Sequence, residues 1–486
     1  MTEVPPPAAV PAHPRNAAAD RPAAGRSDAD RPDAAAAGRR ASRRRFLKLV
    51  GISLGYFMVL LDLTVLSVAE PDLAASLGAS TSGLQWATTA YTVLFAALLL
   101  SAGAVADRYG AHRVFKAGTA AFGLVSLACA AAPGLGTLIA ARALLGVAAA
   151  AVVPASLALV ARLYPDPGER TRAVAAWAAI SGAAVAAGPV AGGLLVELGG
   201  WRAIFVVNAP IAAVVLLTVV GPAVVCPRGR QRIDWWAQGA ACLVLAVPTD
   251  AVIAAGSAAW GHAAASGVLT VPAVAVFRRL ERRSTAPVLG GGLLRSRGVR
   301  AGLGVGAAVN FTLAGDLFVL PLLLRHEHAL GPVATGLAFL PLTLPFVANP
   351  PVTGRIVART GPRLPILAGM ALLTVGGLVL AAAAWATSPY PVLAGGLLLT
   401  GFGISFALPA LVAAVVAAAP EGTAGSAGGV LNAARQTGAT LGVAVMGALA
   451  GTDPTPGGAA AALAFAAVVC AAAGGTFARR PPRAAA

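Results

Sequence analysis

Long apolar runs alternate along the chain with short polar or basic stretches, and most runs are about the length a helix needs to cross a bilayer. The pattern predicts fourteen spanning helices, over 46–69, 84–106, 114–132, 136–161, 173–196, 202–222, 235–255, 262–280, 300–324, 332–354, 364–386, 390–415, 427–450 and 459–477. Pro248, Gly256 and Pro272 interrupt the seventh and eighth, which carry the weakest signal. Residues 1–45 are rich in Pro, Ala, Asp and Arg without apolar periodicity, which predicts a disordered tail. This tail is too long for a signal peptide, and no small-residue cleavage site follows a short apolar core. Residues 478–486 form a second short tail.

Composition narrows the class. Of 486 residues, 58% are hydrophobic and 11% charged, against about 25% charged in a soluble domain. A soluble fold, a disordered chain and a collagen are excluded, and an all-α polytopic membrane protein remains. Cys129, Cys226, Cys242 and Cys470 are scattered in or beside apolar runs and suit neither a metal site nor a disulfide frame.

The net charge of +17 would suit a nucleic-acid partner, but the basic residues fall in short clusters between apolar runs, as in cytoplasmic membrane loops. With connections numbered alternately, one side carries nineteen Lys and Arg and the other only Arg202 and Arg325. That asymmetry predicts an even number of spans with both termini in the cytoplasm. Loss of an adjacent pair would preserve it, so twelve spans satisfy the charges equally.

An internal repeat divides the chain. Gly103, Asp107, Arg108 and Gly110 follow the second span; Gly354, Ala358, Arg359 and Gly361 follow the tenth, each offset by 251. The expected organisation is an N-terminal six-helix bundle over 46–222, a C-terminal six-helix bundle over 300–477, and 223–299 holding two linker helices with a cytoplasmic loop. Parallel repeats of this kind are typical of secondary transporters.

Ionisable residues inside the spans are candidates for chemistry. At about 1.5 Å per residue, Asp62 lies roughly 24 Å up a core of about 30 Å. Arg142, on a descending span, lies roughly 9 Å below its outer edge, at a similar depth. Isolated charges there are costly, so the two are expected to pair or to line a water-filled cavity. The pair reads either as a static tie between helices or as a proton-coupled switch, in which protonation of Asp62 releases Arg142 and changes the favoured state. Asp316 is nearly the repeat counterpart of Asp62, without an arginine at the matching place. Arg435 is expected to face the cavity, where it could hold an anionic substrate group or pair with an acid. Asp250 is expected near an interface. Gly188, Pro189, Gly192 and Gly193 cluster on the fifth span, where small residues permit close backbone approach. Asp107 and Arg108 read either as a solvated turn or as an inner latch.

Other matches lack their structural context. Gly51-Ile-Ser53-Leu-Gly55 fits nucleophile-elbow spacing but lies in a spanning helix. His326-Glu327-His328 lacks metalloprotease spacing, and no Gly-Lys-Ser/Thr phosphate loop is present. The chain therefore reads as a non-enzyme without a cofactor, driven by an ion gradient.

Several segments in order resemble the major facilitator superfamily and, within it, its fourteen-span drug:proton antiporters. They are Gly103 to Gly110, Leu61-Asp62-Leu-Thr64 to Pro71, Gly182 with Gly188-Pro189-Val-Ala-Gly192-Gly193, Trp201-Arg202-Ala-Ile-Phe205 with Asn208 and Pro210, and Asn432-Ala-Ala-Arg435-Gln436-Thr-Gly438. The chain is most similar to actinomycete antibiotic exporters of the methylenomycin-resistance and cephamycin-export kind. The resemblance implies proton coupling through Asp62 and Arg142, and a cytoplasmic gate at Gly103, Asp107, Arg108, Gly110 and Arg113. It also implies an antiporter motif at Gly182, Gly188, Pro189, Gly192 and Gly193. Asp316, Arg435, Gln436 and Asn432 are the candidates for the substrate cavity. Departures occur at Ala111 and His112, where the family has Arg or Lys, at Ser67 for Asn, Glu70 for Leu, and Leu145 for Gln. The reading is a monomeric, proton-driven exporter of a small-molecule drug or antibiotic in the cytoplasmic membrane, in contact with lipid and without nucleic acid. Nutrient uptake, lipid translocation and a non-transporting receptor are the alternatives.

Overall fold

The computed structural model describes residues 30–219, 225, 226, 229, 233–284, 292–420, 424–451 and 455–479. Most of the N-terminal tail, Arg228, Arg230 and Arg232, and the C-terminal Arg480 and Arg483 lie outside them. The chain divides into two compact units, Met1–Phe46 and Leu47–Ala486. The first contains the start of α1 (Asp30–Leu77), so helix already occupies part of the segment expected to be a disordered tail. The run Ala34–Ala37 favours helix there.

The second unit is helical throughout its described residues, apart from turns. Its first half holds α2 (Thr81–Tyr109), α3 (Ala111–Ala130), α4 (Leu135–Leu163), α5 (Pro167–Gly199), α6 (Ala203–Val206) and α7 (Asn208–Thr218). Two further helices follow, α8 (Trp235–Gly256) and α9 (Trp260–Arg283). The second half holds α10 (Arg297–Glu327), α11 (Pro332–Ala338), α12 (Leu340–Ala348), α13 (Pro350–Thr360), α14 (Arg363–Trp385), α15 (Tyr390–Ala418), α16 (Ala424–Ala450) and α17 (Pro456–Ala478).

Local chemistry sets the boundaries. Ser80, Asp166, Asp234, Ser296 and Thr455 cap their helices by accepting backbone N–H bonds. Gly110 ends α2 with φ of +92° and Gly361 ends α13 with φ of +77°. These are matching positions of the repeat, and both need a conformation that side chains disfavour. Pro248 and Pro272 do not break α8 or α9, which run through them.

Among the described residues, ten helices are long and apolar enough to cross a membrane. An eleventh, α2, passes as a pair bent by 62°, with Ser101 and Gly103 just beyond the bend. The chain is thus a multi-pass membrane protein, but length and apolarity alone do not reach fourteen. Three expected spans fall outside these eleven: 202–222, where Ala203–Thr218 forms one shorter apolar helix through the turn at Val207; 332–354, which divides at Phe339 and Asn349 into three short helices rich in proline; and 427–450, which lies within α16.

Within the first half, α2, α3 and α5 pack on α4, and α7 packs on α3; within the second, α10, α14, α15, α16 and α17 form the core. The halves meet along α2–α16 and along α5 with α11 and α12. Helix α8 rests on both α2 and α16, and α9 packs on α8. The apolar stretch of α9 is only 6% buried, against 83% for α10. The end bearing the Leu77–Thr81 turn is called the top below, and the opposite end the bottom.

Candidate functional site

Asp62 and Arg142 meet in the middle of the first bundle, where each side chain is 1% exposed. An Nη1 hydrogen of Arg142 is donated to Oδ2 of Asp62. Asn208 Nδ2 donates to the other oxygen, Oδ1, at 3.2 Å. That amide also donates to Ser126 Oγ at 2.9 Å, and Ser126 donates onward to the Phe205 carbonyl at 3.0 Å. Arg142 has supports besides Asp62. Its Nε donates to the Ala87 carbonyl at 3.0 Å, and its guanidinium lies 4.6 Å from the Tyr91 ring centre. Gly146, one turn on, lets the α2 backbone approach closely enough for this contact. Besides Asp62, the cation on α4 is thus held to α2, and the carboxylate on α1 is held at one oxygen by Arg142 and at the other by Asn208.

A second buried acid lies two turns higher on α1. Glu70 is 2% exposed. Its Oε1 accepts from Thr88 Oγ1 at 3.0 Å, while Oε2 has no hydrogen-bond partner. Two residues on, Asp72 forms an ion pair with Arg325 of α10, joining the bundles at the top.

Below, α1 and α16 face one another. Tyr56 stacks on Trp177 of α5 with ring centres 4.9 Å apart, and Arg435 lies within electrostatic reach of Tyr56. Arg435 Nε donates to Asn310 Oδ1 at 3.2 Å, so its described partner is an amide and not an acid. Asn432, one turn from Arg435, has a buried Oδ1 without a partner. Gln436 is buried, and its carbonyl accepts from Thr440. Asp316 is not part of this group. It is buried within the second bundle, with Oδ2 unpartnered, on the turn after the Thr312–Cys470 contact. The expected correspondence between Asp316 and Asp62 therefore holds in sequence but not in partners.

The glycine cluster of α5 joins three helices. Gly188 and Gly192 pack on Thr64 and Val65 of α1. Gly193 packs on Pro332 of α11, and Gly336 of α11 packs on Pro189. Gly182 faces open space and is not part of this junction. A polar seam lies alongside: Gln85 Nε2 donates to the Val443 and Ala444 carbonyls at 3.1 and 2.8 Å, and Thr440 donates to Thr92 at 2.8 Å. These contacts between bundles all lie in the top half.

At the bottom, the α2–α3 turn meets the segment leading to α8. The Asp107 carbonyl accepts from Gly229 N at 2.7 Å, and His112 Nδ1 accepts from Cys226 N at 3.1 Å. Arg108 lies over Tyr109, Gly103 has open space around it, and Arg113 N donates to Gly110 O. Asp250, expected at an interface, is 24% exposed and bonded to His262 Nε2 at 2.7 Å and Ser266 Oγ at 2.5 Å.

Sequence reasoning placed Asn208 only as a motif position, and did not identify Glu70 or Gln85 as site residues. The available signal was polarity inside a span: each is a buried polar side chain within a largely apolar run.

The chain matches the profile described as Major Facilitator Superfamily over residues 52–443 and again over 303–486. It is 35% identical over 411 residues to multidrug resistance protein Stp of Mycobacterium tuberculosis, covering 84% of this chain and 76% of that one. To the methylenomycin A resistance protein of Streptomyces coelicolor it is 35% identical, with 82% and 85% covered. To puromycin resistance protein pur8 of Streptomyces alboniger it is 39% identical, with 83% and 81% covered. Among solved structures, a bacterial homolog of the human lysosomal transporter Spinster aligns with a TM-score of 0.64 at 16% identity, covering 89% of this chain and 96% of that one. The nucleoside transporter NupG aligns with a TM-score of 0.62 at 12% identity, covering 89% and 99%. These two show the shared fold, and with the profile match and the relatives they lead to one conclusion: the chain belongs to the major facilitator superfamily.

Proposed function

We propose that the protein is a proton-coupled exporter of drug-like or antibiotic small molecules in the cytoplasmic membrane, working as a monomer. Its top faces outward, and both termini lie in the cytoplasm. The names of the relatives support the substrate class, and the nineteen-to-two split of loop charge supports the orientation. The captured state is closed at the top, where Asp72–Arg325, the Gln85 seam and the α5–α11 junction lie.

One observation carries the mechanism. Asp62 and the residues that pack on the α5 glycines, Thr64 and Val65, share one turn of α1. Proton arrival at Asp62 removes its negative charge and its hold on Arg142, while Arg142 keeps its contacts to α2. Helix α1 is then free to shift against α4. The shift is transmitted through Thr64 and Val65 to α5, and from the adjoining face of α5, at Pro189 and Gly193, to α11 of the other bundle. Protonation thereby biases which side of the membrane is open. Substrate is held lower down, between Tyr56 and Trp177 on one side and Arg435, Asn310, Asn432 and Gln436 on the other. The aromatic rings supply apolar area and the amides and guanidinium supply orientation. At the bottom, Asp107 and Arg108 act as the latch of the opposite state.

The test is purified protein in vesicles with an imposed pH gradient, using puromycin as the probe, beside resistance profiling across anionic, neutral and cationic compounds in cells lacking other pumps. Expected are gradient-driven puromycin transport and raised resistance. Resistance to no compound and transport indifferent to the gradient would overturn the proposal.

A further inference from the structure

The α8–α9 hairpin has a surface that the transport cycle does not use. Arg278, Arg279, Arg282 and Arg283 are all exposed and, with Ala275, line one open cavity of about 390 Å3. Their spacing of three, four, seven and eight residues from Ala275 puts all of them on one face of α9. Ala273, Val274, Phe277, Leu280 and Glu281 are half-buried and form the other strip, with Glu281, three residues after Arg278, at the border of the arginine face.

The arginine face continues upward as an exposed apolar strip of Val276, Val271, Leu269 and Val268. At the same end of the hairpin, Trp235 and Trp236 open α8 and are exposed. Asp234, just before them, is bonded to Ser284, just after α9, which brings the arginines and tryptophans to one level. Exposed tryptophans at one level of a spanning hairpin mark the zone where headgroups meet hydrocarbon. Trp260 is exposed at the opposite end of α9. Loop charge that only set topology would need no common face; here four guanidinium groups converge on one cavity directly beneath an apolar strip.

We propose that this face of α9 is a binding site for an anionic phospholipid. The phosphate takes the guanidinium groups, whose paired N–H donors match phosphate oxygens. The acyl chains lie along Val276, Val271, Leu269 and Val268. The apolar strip places the arginine cavity at the hydrocarbon boundary, where a phosphate that carries acyl chains is held by both, while a soluble phosphate compound gains nothing from the strip. Since α8 rests on both α2 and α16, the lipid sits on the pair that covers the seam between the bundles.

The test uses the full chain in phosphatidylcholine vesicles that contain a small fraction of brominated phosphatidylglycerol, with tryptophan emission as the readout. Brominated phosphatidylcholine at equal mole fraction is the reference. Preferential quenching by the anionic lipid is expected in the unmodified protein. Arg278→Gln with Arg282→Gln should lower that preference roughly thirtyfold, the equivalent of two arginines near an anionic surface. Arg279, Arg283 and the later arginines remain to hold the topology, and unchanged quenching by the neutral lipid verifies insertion. Equal quenching by both lipids in the unmodified protein would overturn the site, as would an unchanged preference in the double variant. Loss of the preference on adding inorganic phosphate would overturn the lipid assignment.

Discussion

Gly193 of α5 packs directly on the backbone carbonyl of Pro332 in α11, and Gly336 of α11 packs in return on the carbonyl of Pro189. On each helix the two contacts are four residues apart, so they stack on one face and hold the backbones together without a side chain between them. This close approach belongs to the state with the top closed. Gly193→Leu or Gly336→Leu cannot be accommodated without moving α5 away from α11, at an overpacking cost of about 1–3 kcal/mol. Both should shift the population toward the open top. A cysteine at Val333, in a protein otherwise free of cysteine, should then react about tenfold faster or more with an impermeant maleimide added outside. Gly182→Ala, facing open space, should leave that rate unchanged.

Asp62→Asn keeps the shape of the carboxyl group but removes its charge. Arg142 keeps the Ala87 carbonyl and the Tyr91 face, so the variant should insert and bind. It should lose uphill transport driven by a pH gradient while retaining exchange of labelled for unlabelled puromycin. Arg142→Ala should be worse in membrane abundance as well as transport, because removing one partner of a buried pair costs about 3–5 kcal/mol. Full gradient-driven transport by Asp62→Asn would remove Asp62 from the proton path.

The depth of Asp62 and Arg142 was legible because helical rise is constant, so counting residues locates a side chain along the membrane normal. Rotational phase is much harder to count. That Asn208 reaches Asp62, 146 positions away, depends on how the helix that bears it is turned against α1, which apolar length does not signal. The run after Pro332 read as one span, yet it divides at Phe339 and Asn349, close before Pro341 and Pro350, each of which lacks a helix donor. Arg435 was legible as a cavity residue, but its amide partner Asn310 is 125 positions away and only packing reveals it. The glycine cluster was visible as a motif, although its division between α1 and α11 depends on which side of α5 each glycine occupies.

Asp234 offers a separate test of the hairpin. Its carboxylate accepts from Ala237 N and Trp236 N at 3.0 and 3.1 Å. The bond from the Ala237 amide, followed by that from the Ser284 hydroxyl, holds its pKa below the ordinary carboxylate value. A group with a lowered pKa stabilises the folded state above its unfolded pKa, and that contribution is lost as pH falls through the folded one. Asp234→Ala should cost about 1 kcal/mol locally, as loss of a helix cap does. Hydrogen exchange at the Trp236 and Ala237 amides should be faster in the variant at neutral pH. The difference from the unmodified protein should shrink in acid. Equal protection at neutral pH would show that the cap contributes nothing.

Glu70 gives the sharpest separation of stability from transport. It is buried, Thr88 satisfies one of its oxygens, and the other has no partner in the closed-top state. A polar atom in that position destabilises the fold by about 1–3 kcal/mol. Glu70→Leu removes it, and Thr88 can turn its hydroxyl to a carbonyl of its own helix. The leucine variant should therefore raise the apparent melting temperature. Glu70→Gln keeps the Thr88 bond but still buries an unpartnered polar group, so it should not. The carboxyl sits between Asp62 and the Asp72–Arg325 pair, where a proton entering from the top would pass. Both variants should accordingly slow transport driven by a pH gradient, and the leucine variant should do so while being the more stable protein. Thermal unfolding in detergent and gradient-driven puromycin uptake into vesicles measure the two quantities on the same preparation. A leucine variant that is more stable and transports at the full rate would show that the cycle does not use this acid.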